Sequence, residues 1–115
     1  MVYSIETDSV NYELLVRNIK ENKLEDRRIP TRVIVSDNVQ TFRKGRIVGQ
    51  NTGGFGFIPS SKEDDFEVLV IDKWHQSELE EREVGVVEID IEGAELLALH
   101  SCINLIKKYS PVLYF

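Results

Sequence analysis

VVEIDIEGAE, Val86 to Glu95, is the stretch from which the chain reads outward. Val86, Val87, Ile89 and Ile91 make an apolar run of strand type; Gly93 interrupts it, and a strongly apolar helical pattern opens at Ala94. Three carboxylates, Asp90, Glu92 and Glu95, fall at the strand-to-helix junction. In open α/β sheets, ligands bind outside the carboxyl ends of the strands. Like charges held close raise one another's pKa values, a pattern found at functional sites. The same placement also suits acids in the first turn of a helix, where the helix dipole favours negative charge. Spacing alone leaves both readings open.

C-terminal to this stretch, Ala94, Leu97, Ala98, Ser101, Cys102 and Leu105 make one helical face, which Leu99, Ile103 and Ile106 widen. Pro111 introduces a last strand, Val112 to Phe115. At the other end, Val2 to Ile5 is a short strand closed by Glu6, Thr7 and Asp8. Asp8 or Ser9 caps a helix whose apolar stripe is Tyr12, Leu15, Val16 and Ile19, fading near Asn22. Lys23 to Pro30 is polar, and Thr31 to Val35 reads as a second strand stopped by Ser36, Asp37 and Asn38. In the middle, Thr41 to Val48 suggests two short strands turning at Lys44 and Gly45. Gln50 to Gly56 is Gly-rich and loop-like, and Phe57 and Ile58 precede a turn cluster at Pro59 to Ser61. An alternating strand is expected from Phe66 to Asp72, then a short polar helix or loop from Trp74 to Glu83. Strand, helix, strand, repeated, predicts an α/β fold with parallel neighbours, mostly parallel overall, with helices packed on the sheet. Such strands are buried on both faces, which suits continuous apolar runs.

A chain of 115 residues is one domain at most, residues 1–115, with a modest core. No apolar run reaches the ~18 residues of a membrane span, and no secretory apolar region follows Met1. The single cysteine, Cys102, lies in the helical apolar pattern and reads as a buried, inert thiol, which fits the cytoplasm. Net charge is −6, split unevenly: residues 1–57 hold 9 Lys/Arg and 7 Asp/Glu, residues 58–115 hold 5 and 13, so +2 and −8 sum to −6. A nucleic-acid binder carries a basic stripe; the clusters Arg27, Arg28, Arg32 and Arg43, Lys44, Arg46 are too small for one, so nucleic acid is not the expected partner.

The string IDIEGAELLAL, Ile89 to Leu99, followed by SPVLYF at the C-terminal end, resembles the signature of the FkbM-type methyltransferases, approximately K-[IL]-D-[VI]-E-G-x-E, a helix and a Pro-led strand. VYSIETDSVNYELLVRNIKEN, Val2 to Asn22, is similar to a second pattern of that family, roughly V-x-x-F-E-P-x-P-x-N-Y-x-L-L-x-x-N-I-x-x-N. Ile5 and Thr7 replace the family's Phe and Pro, and Glu88 stands where it usually has Lys. The resemblance implies a Rossmann-like sheet and S-adenosylmethionine as cofactor. It implies O-methyl transfer to a sugar or small-molecule hydroxyl. By the same resemblance Glu6 holds the cofactor ribose, Asp37 contacts the adenine, and Asp90 lies where cofactor and acceptor meet. Asp90, Glu92 and Glu95 are then the catalytic candidates, a carboxylate serving as base or orienting the hydroxyl. Asn51, Gly53 and Gly54 match a loop near the substrate pocket; they lack the Lys and Ser/Thr of a phosphate-binding P-loop. Against these roles stand plain ones: Glu6 as an exposed acid near a helix start, Asp37 as a strand-ending turn residue. The acid trio also suits Mg²⁺ or Ca²⁺, but no His lies beside it, so no metal is assigned. His75 and His100 read as structural or surface residues.

The resemblance begins at the family's second strand, so the expected sheet is truncated: the first strand with its Gly-rich turn, and the C-terminal strands, lie outside the match. Strands left with unpaired edges invite association, hence an expected homodimer or a complementing chain. Three functions follow: a methyltransferase, a non-catalytic relative serving as a binding or assembly module, or a generic nucleotide-binding α/β domain.

Overall fold

A computed structural model describes residues 1–38, 41–46, 55–60 and 68–115. The protein is mixed α/β, and its described strands pair two by two. The chain divides into two compact units, Met1–Ile34 and Val35–Phe115.

The first unit is strand, helix, strand. β1 (Val2–Ile5) and β2 (Arg28–Thr31) run parallel, with Val2 opposite Arg28 and Ile5 opposite Thr31. Between them α1 (Ser9–Glu21) is closed at both ends by its own sequence. The Asp8 carboxylate accepts from Val10 N at 3.0 Å and Asn11 N at 3.2 Å, satisfying two of the amides that a helix start leaves without partners. At the other end Asn22 is the C-cap, and Lys23 takes a left-handed φ of 55°. Lys23 N then donates to Lys20 O and Leu24 N to Ile19 O, the paired bonds of a Schellman motif. Ile19 is the buried member of the expected stripe; Tyr12 and Leu15 are half-buried, and Val16 is exposed. The expected strand Thr31 to Val35 breaks at Arg32 and Val33, where Thr7 Oγ1 donates to Val33 O at 2.7 Å. Strand β2 also begins earlier than expected, at Arg28 within the polar stretch: the main chain, not the side chains, supplies its pairing with β1.

In the second unit Ser36 N donates to Leu69 O, beside the short strands β3 (Ile34–Val35) and β6 (Val68–Leu69). The middle of the chain corrects the sequence reading. Thr41 to Arg46 is one strand, β4, without a turn at Lys44 and Gly45. It pairs antiparallel with β5 (Phe55–Ser60), which includes Pro59 of the expected turn cluster. A two-stranded pair has only edges, and an edge tolerates a residue with no N–H to donate.

Asp72 belongs to α2 (Ile71–Ser77), not to a strand. The expected single C-terminal helix is two, α3 (Glu95–Ser101) and α4 (Ile103–Tyr109), broken at Cys102 with φ −121° and ψ 20°. One set of bonds explains both corrections. Neither α2 nor α4 has a capping side chain of its own. Ser101 Oγ, fully buried, accepts from Ile71 N at 2.7 Å at the start of α2. The Asp72 carboxylate accepts from Leu105 N at 2.9 Å and from Asn104 N at 3.0 Å at the start of α4, and from Asn104 Nδ2 at 2.9 Å. α3 thus caps α2 and α2 caps α4, and α2 packs on both α3 and α4.

After α2 the chain turns through Glu80 and Glu81, both with positive φ. Buried His75 donates Nε2–H to Arg82 O at 2.6 Å, the tautomer set by its carbonyl partner, and meets the Tyr109 ring edge-on at 5.4 Å. β7 (Val86–Glu88) and β8 (Val112–Tyr114) run parallel, Val86 opposite Val112 and Glu88 opposite Tyr114. Ala98, Cys102 and Leu105 from the helices and Ile89 just past β7 are buried. Ser110 closes α4 in the left-handed region, and Pro111, which has no N–H to continue a helix, starts the return to β8.

Candidate functional site

Glu6 and Asp90 lie past the C-terminal ends of parallel strands, one in each unit, and Asp37 follows the short strand β3. In the first unit, Glu6 is the residue after β1, and its N–H donates to Thr31 O at 3.1 Å, continuing the pairing with β2. Its Oε1 accepts from Asp8 N at 2.8 Å, so the half-buried carboxylate is held at the mouth of the strand pair. Arg32 Nε donates to Thr7 O at 3.3 Å, tying the loop after β2 to the loop that carries Glu6. Nothing in the local sequence pairs residues 7 and 32; the parallel register does.

In the second unit, Asp37 follows β3. Buried Ser36 donates Oγ–H to Asp37 Oδ1 at 3.4 Å, and His100 Nδ1 lies 3.8 Å from Asp37 Oδ2, with the imidazole largely exposed. Sequence reading placed His100 among structural or surface residues and did not join it to Asp37, since the two positions are far apart along the chain and no local pattern joins them.

Asp90 lies two residues past the end of β7. Ile89 N donates to Tyr114 O at 2.9 Å, which fixes the end of the β7–β8 pair, and Asp90 and Glu92 beyond it are exposed. Gly93 takes a φ of +79°, a conformation that favours a residue without Cβ, and so turns the chain from strand to helix. Glu95, half-buried at the start of α3, accepts from Gly93 N at 3.2 Å. That bond gives Glu95 a turn-stabilising role. Among the described residues no group of three or more His, Cys, Asp and Glu is arranged to hold a metal ion. The substrate-loop candidates Asn51, Gly53 and Gly54 lie outside the described residues.

Cys102 is buried, with Sγ donating to Ala98 O at 3.2 Å. Burial, reinforced by the negative charge of Asp72, pushes its thiol up to about 11, so near neutral pH it is protonated and a poor nucleophile. No described helix is long and apolar enough to cross a membrane. No protein-family model, curated protein or solved structure matches the chain.

Proposed function

We propose that the protein is an FkbM-type, Rossmann-like S-adenosylmethionine-dependent methyltransferase acting on a sugar or small-molecule hydroxyl. The observation that carries this reading is Glu6: a carboxylate held at the C-terminal end of a parallel strand, where nucleotide-binding α/β proteins hydrogen-bond a ribose. A carboxylate accepts from both hydroxyls of a vicinal diol, and the bond from Asp8 N fixes its orientation beforehand. When bound, the cofactor supplies an electrophilic methyl group on sulfur. Asp90 and Glu92, exposed beyond β7, are suited to take the proton of an acceptor hydroxyl or to orient it, as O-methylation requires. Asp37 is the proposed adenine contact. Glu95, with one oxygen on Gly93 N, is better suited to shaping the turn that presents Asp90 and Glu92.

Calorimetric titration with S-adenosylmethionine and S-adenosylhomocysteine tests the proposal. Saturable binding that Glu6→Ala weakens at least about tenfold, roughly 1.4 kcal/mol, is the expected result. Absence of binding to a folded sample at millimolar ligand removes the methyltransferase reading; binding unaffected by Glu6→Ala removes the ribose assignment. A second reading, a non-catalytic binding or assembly module, is favoured by the exposure of Val86, Val112 and Tyr114 on the β7–β8 pair.

A further inference from the structure

Parallel strands are ordinarily covered on both faces by helices. In β7–β8 the register sets Val87 against Leu113 on one face and the pairs Val86–Val112 and Glu88–Tyr114 on the other. Val87 and Leu113 are half-buried, and Ile89, which continues their side of the strand, is buried. The opposite face is open: Val86 is 59% exposed, Val112 55% and Tyr114 60%. Glu88 on the same face is exposed too. Three apolar side chains and one acid therefore share a surface about three residues long, roughly 10 Å, which matches the ~10 Å diameter of one helix.

Charge argues against a second copy as the cover. From Glu78 to Glu95 the sequence has eight acids and one base, Arg82, and one of the acids, Glu81, is already paired with Lys108. A second copy brings its own Glu88, from the same acid-rich stretch, to the interface, and like charges set against one another oppose association. A basic partner meets the opposite condition. We infer that the β7–β8 face bearing Val86, Glu88, Val112 and Tyr114 docks an amphipathic helix of another protein, with an apolar stripe flanked by Lys or Arg. The apolar stripe covers Val86, Val112 and Tyr114, and a basic residue at its edge pairs with Glu88. This inference names the partner for the assembly reading and does not depend on methyl transfer.

The test uses the full chain and a fluorescently labelled synthetic helix of about 20 residues, leucine along one face and lysine beside it. A second peptide has glutamate in place of each lysine. The expected result is saturable binding of the lysine peptide, seen by anisotropy, that weakens at least about tenfold in Glu88→Lys and in Val112→Ser/Tyr114→Ser. The glutamate peptide binds at least about tenfold more weakly, and bound peptide slows amide exchange in Val86–Glu88 and Val112–Tyr114. Circular dichroism confirms that the variants are folded, and Glu88→Gln gives a milder change at the same position. Unchanged affinity in all these variants overturns the inference, as does equal binding of the two peptides. A dimer in sedimentation velocity that Tyr114→Ser dissociates also overturns it, by assigning the face to a second copy. Loss of S-adenosylmethionine binding leaves these readouts untouched, so the two proposals fail separately.

Discussion

The two strand–helix–strand segments solve one problem in different ways. In β1–α1–β2, the helix is a single rod of 13 residues, and the groups that close it lie within three residues of its ends: Asp8 before it, Lys23 and Leu24 after it. In β7–α3–α4–β8, the crossover is two helices of seven residues, and α4 is closed by Asp72, over thirty residues away in sequence. Local capping makes a helix readable from its own sequence. Distant capping makes it depend on packing that must already be in place.

Asp72→Ala challenges this contrast most severely. It removes three hydrogen bonds to a carboxylate, two of them from helix-start amides, and is expected to cost about 2 kcal/mol in urea unfolding. Faster amide exchange should follow at the start of α4, with α1 unaffected; if exchange in α4 is unchanged, the distant cap is not what holds it. Asp8→Ala is the matching change in the first unit and should cost less, about 1 kcal/mol, because water reaches the freed Val10 and Asn11 amides. A larger loss for Asp8→Ala than for Asp72→Ala reverses the comparison.

The smallest effect concerns the ion pairs. Arg17 and Glu21 pair at 3.0 Å within α1, whereas Lys108 pairs with Glu81 across the second unit. The Lys108 hydrogen bond, then its charge, holds the Glu81 carboxyl below its ordinary 4.5, and the Glu81 hydrogen bond holds Lys108 above 10.5. A carboxyl lowered on folding contributes stability that is present in full above 4.5 and lost as pH falls through the lowered value. The raised lysine contributes in full below 10.5 and loses its share as pH rises through the raised value. The urea midpoints of wild type and Lys108→Met should therefore differ slightly near neutral pH and converge in acid. A gap that persists in acid points instead to Lys108 lying over the Tyr109 ring, 5.2 Å from its centre.

The same contrast explains what the sequence disclosed. The Asp8 cap, the end of α1 at Asn22 and the turn at Gly93 are local chemistry, and each lies where the residues put it. The acid Glu6 at a strand end was equally legible, because β1 ends where its apolar run ends. The break at Cys102 was hidden: its neighbours continue the helical apolar pattern, and only the carboxylate of Asp72 favours a new helix start there. The β4–β5 pairing was hidden too, since a Gly and a Pro that suggest turns are accommodated within strands that, among the described residues, pair only with each other. His100 beside Asp37, and Arg32 on Thr7, are products of register and packing that no local pattern encodes.

The relay of caps from α3 to α2 to α4 has a consequence for how the second unit comes apart. Seven residues are too few for an isolated helix to persist in water. Ile71 N finds Ser101 only when α3 is docked, and the amides of Asn104 and Leu105 find Asp72 only when α2 is. Loss of α3 uncaps α2, and loss of α2 uncaps α4. Opening of α3 is expected to carry α2 and then α4 with it, whereas α4 can fray while α2 and α3 stay closed.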